Sequence, residues 1–213
     1  MRFLRSLPLL FLVLCCSGCI SVSLKPYYTP ENQIPVPDEL VGLWRFDQFQ
    51  EKKIANIKAV QIQIAKDGTT RVSQFPAEGG EQGATLLSTF RTQFFRINGE
   101  LYADCLLSSL REGSLSAAEA LTVVPGHLLV KLSLSGETLR AVYPALLPKL
   151  AEEGKLPPEL TWVQKETDPG KAAAVWVFTA PGSVWEETLK TMSPQIFPDL
   201  PAATYEFRRV LIQ

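Results

Sequence analysis

The chain has 213 residues, with 21 lysines and arginines, 22 aspartates and glutamates and a single histidine, so its formal net charge is −1. A chain of this length forms one domain, or one domain with an appendage, and buries a substantial core. The lack of a basic excess argues against a nucleic-acid partner, because phosphate binding requires clustered lysine and arginine. Three of the four cysteines stand close together at Cys15, Cys16 and Cys19. This composition predicts neither a metal site nor a cofactor.

Residues 1–18 have the organisation of an export signal. Arg2 and Arg5 precede a leucine-rich run over residues 7–14. The run is far shorter than the roughly 20 residues of a membrane-spanning helix, and small residues follow it. We therefore expect a signal peptide over residues 1–18, which is removed on export. Cys19 and Cys105 are the cysteines that remain after this cleavage, and only Cys105 lies within the predicted folded domain, so no disulfide forms within that domain.

The end of this segment resembles the lipobox of bacterial lipoproteins. Ser17-Gly18-Cys19 supplies the small-small-cysteine pattern, with Cys16 at the position where leucine is usual. The resemblance implies a diacylglyceryl group on Cys19 and an acylated amino terminus, and several acyl chains together form a durable membrane anchor. Ile20 follows where an aspartate would signal retention, which is similar to outer-membrane lipoproteins facing the periplasm. The alternative is an ordinary signal peptide followed by an unmodified cysteine.

Residues 19–37 join the anchor to the predicted folded domain, which we place at residues 38–213. This segment holds Pro26, Pro30, Pro35 and Pro37, and its hydropathy shows little periodicity. Such a composition is typical of a semi-extended spacer. We therefore predict a solvated linker between the lipid and the domain.

Alternating apolar and polar residues dominate the rest of the chain. Turn residues at 66–69, at Asn98-Gly99 and at 135–137 predict three β-hairpins. The strand-like runs cover residues 41–48, 60–64, 70–75, 86–97, 100–107, 127–134, 138–143, 175–179 and 203–212. This pattern indicates a mainly β fold of about eight or nine antiparallel strands that curl or close into a barrel.

Two short helices are expected late in this order. The first covers residues 144–153 and ends at Gly154. The second begins at Ser183, where Ser183 and Glu186 have the spacing of a capping box. Trp185 and Leu189 begin an apolar stripe on this helix, which predicts that it packs onto the sheet or plugs one end of it.

The first and last strands together resemble the calycin barrels, the group of lipocalins and fatty-acid-binding proteins. Gly42 and Trp44 form the G-x-W pattern of the first strand, and Arg209 shares a face with Tyr205 and Phe207 in the last strand. The resemblance implies a lipocalin-like barrel closed by Gly42, Trp44 and an arginine stacked on the indole, here Arg209. Several uncharacterised bacterial lipoproteins look similar over most of the mature chain.

The sequence offers little catalytic chemistry. His127 is the only imidazole, and its strand position places it with Leu129 on the face opposite the cleaner apolar row, so we expect it to face solvent. Cys105 shares its face with Leu101 and Leu107, which is typical of a small buried hydrophobe and not of a nucleophile. We therefore predict no catalytic residue and a protein that is not an enzyme.

Two functions lead, and an enzyme is the third possibility that the sequence leaves open. In the first, the barrel of a lipid-anchored envelope protein binds a small apolar or amphipathic ligand, since eight strands enclose enough room for one. The candidate cavity residues are Phe46, Phe90, Phe94, Arg96, Tyr205 and Phe207. In the second, aromatic side chains fill the barrel, and the protein has a structural role or docks another envelope protein.

Overall fold

A computed structural model of the chain describes residues 20–46, 59–75, 88–110, 126–166, 174–201 and 203–210. The signal peptide and Cys19 lie outside the described residues, so the expectations about export and lipidation stay predictions. Twelve strands and two α-helices are present in the described part. The strands are β1 Ile20–Ser23, β2 Gln33–Ile34, β3 Gly42–Phe46, β4 Ala59–Ile64, β5 Thr70–Phe75, β6 Ser88–Ile97, β7 Glu100–Leu110, β8 His127–Ser135, β9 Thr138–Val142, β10 Trp162–Glu166, β11 Ala174–Phe178 and β12 Thr204–Arg209. The helices are α1 Leu147–Glu152 and α2 Gly182–Ile196.

Eight strands form a closed antiparallel barrel. Strands β3 to β9 follow one another as a meander, β12 pairs with both β9 and β3, and the pairing of β8 with β9 completes the ring. The prediction of a mainly β, antiparallel barrel with two inserted helices is confirmed, and both helices lie between β9 and β12. The three expected hairpins join β4 to β5, β6 to β7 and β8 to β9.

Side chains from one face of each strand fill the interior of the barrel. This follows from the two-residue period of a strand, which sends alternate side chains to opposite faces. The buried members of this cluster are Leu40, Trp44, Phe46, Val60, Ile62, Phe94, Leu101, Ala103, Val130, Leu132, Leu139, Ala141 and Phe207. We call it the inner core.

A second hydrophobic core lies against the outer face of β6, β7 and β8. There α2 packs Trp185 and Leu189 onto Phe95 and Tyr102, and β11 adds Phe178. We call this cluster the outer core. It explains why both faces of β6 and β8 carry large apolar residues, such as Phe94 beside Phe95 and Leu129 beside Val130.

The prediction of a solvated linker over residues 19–37 is wrong for its described part. Residues 20–23 form β1, which pairs with β11 in parallel and with the start of β8, and Tyr27 is fully buried in the outer core. A Cβ built on Gly182 would lie 2.1 Å from the Tyr28 carbonyl oxygen, so the chain passes directly against the start of α2. The sequence prediction missed this strand because it lies in a proline-rich segment, has only four residues and pairs with partners more than 100 residues away.

The second helix begins differently from the sequence prediction. Pro181 occupies the N-cap position of α2 and no side chain caps the helix, so the capping box is wrong. Glu186 instead accepts hydrogen bonds from Thr29 and Asn32, which are both 3.2 Å away, and pairs with Lys190. The glutamate thus fastens the early chain to the helix rather than closing the helix upon itself. Among the described residues, no helix is both long and apolar enough to cross a membrane.

Candidate functional site

The junction of the first and last barrel strands brings together Trp44 and Arg209. These residues are direct partners across β3 and β12, and the Arg209 guanidinium carbon lies 5.1 Å from the centre of the indole ring. The indole Nε1 donates to the Leu40 carbonyl at 2.9 Å, and the guanidinium donates to the carbonyl of Val41 at 3.2 Å. Gly42 has φ of +147°, a conformation that favours glycine, and lies beneath this guanidinium. The cluster joins the strand ends and leaves the indole buried.

Three of the six candidate cavity residues, Phe46, Phe94 and Phe207, lie in the inner core as close-packed aromatic side chains. Phe90 packs in a separate cluster with Val22 of β1 and with Val175 and Val177 of β11. Phe46, Phe90, Phe94 and Phe207 are each less than a tenth exposed, and Phe46 and Phe207 meet edge to face at 5.1 Å. Tyr205 lies next to Phe46 at 6.1 Å and is partly buried. These contacts are those of a filled core.

Arg96 does not join the other candidates. Its side chain is exposed at the end of β6 and donates to the Gly99 carbonyl at 2.9 Å. The structure therefore does not bring Arg96 to the aromatic residues of the barrel interior.

A groove of about 660 Å³ lies outside the barrel, between residues 28–36, the β4–β5 turn and the outer face of β6 to β8. We call it the outer groove. Its volume is within the range of small-molecule sites. The lining residues are Tyr28, Pro30, Gln33, Ile34, Pro35, Val36, Ile64, Asp67, Gly68, Thr69, Thr70, Arg91, Thr92, Gln93, Asp104, Leu106 and His127.

A buried carboxylate orients the histidine in this groove. Asp104 is only 2% exposed, and its Oδ1 accepts a hydrogen bond from His127 Nδ1 at 2.6 Å. Its other oxygen accepts from the backbone N–H of Tyr27 at 2.9 Å. The expectation that His127 faces solvent is wrong, because its side chain is 17% exposed and paired. The pair positions the imidazole and fastens residue 27 to the barrel wall.

The polar side chains of the groove are hydrogen-bonding groups that can recognise a ligand. An aspartate behind a histidine is also the orienting half of a catalytic triad, and the hydroxyl-bearing residues of the described lining are Tyr28, Thr69, Thr70 and Thr92. Cys105 lies on the opposite face of β7, in contact with the inner core, and burial raises the pKa of its thiol to about 12. Within the described residues, no group of three or more potential metal ligands occurs.

No protein-family model, curated protein or solved structure matches this chain.

Arg91 and Tyr28 complete the polar part of the outer groove. Tyr28, Arg91 and Asp104 line the same groove. Burial and then the negative charge of Asp104 raise the pKa of Tyr28, while Arg91 acts in the opposite direction. The tyrosine hydroxyl is thus a protonated donor. Among the residues that the structure describes, none forms an ion pair with Arg91.

A separate polar cluster fixes the end of α2 to the barrel. Glu100 accepts hydrogen bonds from Tyr102 at 2.5 Å and from Ser193 at 2.7 Å, and it pairs with Lys131 at 2.5 Å. Burial acts to raise the pKa of Glu100, but these hydrogen bonds outweigh it, so the pKa is lowered. The lysine is engaged as a cation, which makes this cluster a structural attachment.

The sequence places polar residues of the outer groove on three neighbouring strands, but periodicity alone does not show that a groove forms there. Although the outer face of β6, β7 and β8 carries Phe95, Tyr102 and Leu129, the same face also carries the polar residues Arg91, Asp104 and His127. That pattern ordinarily indicates contact with water. This face becomes part of a groove only because residues 28–36 pack over it. The sequence analysis predicted that those residues belong to a linker.

Proposed function

We propose that this protein is an exported, lipid-anchored envelope protein of lipocalin-like form that is not an enzyme and that binds a small amphipathic ligand in its outer groove. The barrel acts as a filled scaffold. The ligand lies against the outer wall, beneath residues 28–36, rather than in the barrel interior.

One observation carries the binding proposal: the outer groove combines room for a small molecule with apolar and polar walls. Ile34, Val36 and Leu106 supply apolar surface, while Arg91 and His127 supply hydrogen-bonding groups. A few polar groups set in a largely apolar concave surface are typical of ligand sites. The packed phenylalanines of the inner core favour this groove over the interior.

The binding proposal is tested by filling the groove. Leu106→Trp adds bulk to the groove floor, and Val163→Trp, at an exposed site on β10, is the matched control. The full chain is reconstituted in phosphatidylcholine nanodiscs and heated with octanoate, octanol or octyltrimethylammonium. We expect at least one of these to raise the unfolding temperature of the wild type and the control but not of Leu106→Trp, because only native-state binding stabilises.

Ligand binding in the groove would be contradicted if none of the three compounds raised the unfolding temperature. It would also be contradicted if the unfolding temperature rose equally in the wild type, Val163→Trp and Leu106→Trp. The first of these results would favour a structural or protein-docking role.

The anchoring proposal rests on the cysteine motif at Cys19. Ile20, the next residue, already belongs to β1, so an acylated Cys19 would hold the folded body close to the bilayer. Metabolic labelling with a clickable fatty acid tests this. The wild type should be labelled and Cys19→Ala should not, whereas equal labelling of the two would contradict lipidation.

A further inference from the structure

We infer that the ligand of the outer groove carries an anionic head group, which binds between Arg91 and His127 with its apolar chain directed along residues 34–36. This inference rests on the proposed function and adds the chemical class of the ligand. It depends on strand register, on how the acidic groups of the groove are already engaged and on the placement of its apolar wall.

The strand register sets the two nitrogen-bearing side chains at a distance suited to one small anion. Arg91 pairs with Leu106 across β6 and β7, and Leu106 pairs with His127 across β7 and β8. Neighbouring strands lie about 4.8 Å apart, so the backbones at Arg91 and His127 are roughly 10 Å apart on one face. Leu106 lies between them and forms an apolar floor. Arginine is long enough to close part of this gap and offers a planar set of donors that fits a carboxylate.

The acidic groups of the groove already have partners. Asp104 uses one oxygen for His127 and the other for the Tyr27 amide. Asp67 accepts from Thr69 at 2.6 Å and pairs with Arg71 at 3.1 Å. Within the described lining these are the only carboxylates, so Arg91 is the charged group that lacks a counter-ion there.

The orientation of His127 presents its free nitrogen to a ligand. Because Nδ1 is bonded to Asp104, Nε2 is the ring atom left for a new hydrogen bond. The hydroxyl of Tyr28, which lines the same groove as Arg91, adds a further donor.

The apolar part of the groove begins beside this donor set. Ile34 of β2 pairs with Phe94 on β6, and β5 pairs with Arg91 on the same strand. Strand β2 therefore follows β5 along β6. Val36 follows; like Ile34, it lines the groove while packing partly against the inner core. Ile64, at the end of β4, lines the same groove with 54% of its surface exposed. An extended alkyl chain would cover these side chains while its head met the donors.

Calorimetric titration of the full chain in phosphatidylcholine nanodiscs tests the inference, with empty nanodiscs subtracted. The probes are octanoate and octyl phosphate as anions, octanol as a neutral chain and octyltrimethylammonium as a cation. We expect the two anions to bind at least about tenfold more tightly than the other two, because charge-assisted hydrogen bonds to a desolvated anion are strong. A difference between octanoate and octyl phosphate shows which anion fits better.

Arg91→Gln should remove this preference, with a loss of about tenfold in anion affinity, and Arg91→Lys should retain part of it. Lys155→Gln makes the same change in net charge at an exposed site paired with Glu153, and it should leave binding unchanged. Octanol or the cation binding as tightly as the anions would overturn the inference and leave the proposed function standing. An absence of binding by all four probes would overturn both.

Discussion

Replacement of Asp104 by alanine should loosen the whole early chain from the barrel. The carboxylate holds the Tyr27 amide and the His127 ring, and all three groups are removed from most solvent. A buried donor left unsatisfied costs about 1 to 3 kcal/mol, and a hydrogen bond to a charged group contributes a similar amount. Part of this loss is offset, because the variant no longer buries a carboxylate. We therefore expect Asp104→Ala to lower the free energy of unfolding by about 2 to 3 kcal/mol.

Asp104→Asn is the matched comparison. An asparagine keeps the shape of the side chain and an oxygen that accepts from the Tyr27 amide, and its NH₂ can donate to the deprotonated Nδ1 of His127. Its expected cost is about 1 kcal/mol, because only the charge is lost. Urea unfolding, followed by circular dichroism, measures both values from the shift in midpoint at constant slope.

Hydrogen exchange locates the effect. In Asp104→Ala, amides of residues 20–36 should exchange faster than those of the inner core, because the early chain opens while the barrel stays closed. Equal unfolding costs for alanine and asparagine would refute the reasoning, as would a cost for alanine below about 0.5 kcal/mol. Equal costs would mean that the hydrogen-bonding shape of the side chain carries none of the effect, and a cost below that limit would mean that the hydrogen bonds to Asp104 contribute no net stability.

Three further predictions concern other attachments. Gly182→Ala should destabilise by well over 1 kcal/mol, because its Cβ would lie 2.1 Å from the Tyr28 carbonyl; a neutral thermal midpoint would contradict this close approach. Arg209→Leu should cost about 1 to 2 kcal/mol by loss of its stacking on Trp44 and of its hydrogen bonds to carbonyls, and Arg209→Lys should restore part of it in urea titrations. Because the pKa of Glu100 is lowered in the folded state, its contribution to the free energy of unfolding is present above the unfolded-state pKa of 4.5 and is lost as the pH falls through the lower, folded-state pKa. The unfolding midpoint of Glu100→Gln should therefore be less sensitive to acid than that of the wild type. An unchanged pH profile of the midpoint would argue against this role.

The closed barrel could be predicted because its information is local. Asn98-Gly99 specifies one hairpin, and β8 carries its inward residues Val130 and Leu132 at a strict period of two. The stacking of Arg209 on Trp44 was expected from the resemblance, and the structure places the two side chains in contact.

The outer groove could not be predicted in the same way. Its formation depends on residues 20–36 returning to β8, β11 and α2, which are distant in the chain. A segment rich in proline carries almost no periodic signal of such contacts. His127 gave the same difficulty, since a polar residue on a strand face indicates water until another segment covers it.

The parallel pairing of β1 with β11 has a mechanical consequence. A pull on the chain ahead of Ile20 acts along the strand, so the hydrogen bonds from Ile20 to Ser23 are loaded together in shear instead of being peeled one at a time. Tension from that direction would therefore be transmitted through β11 and the start of β8 into the barrel wall. We therefore expect β1 to stay paired with β11 under such tension.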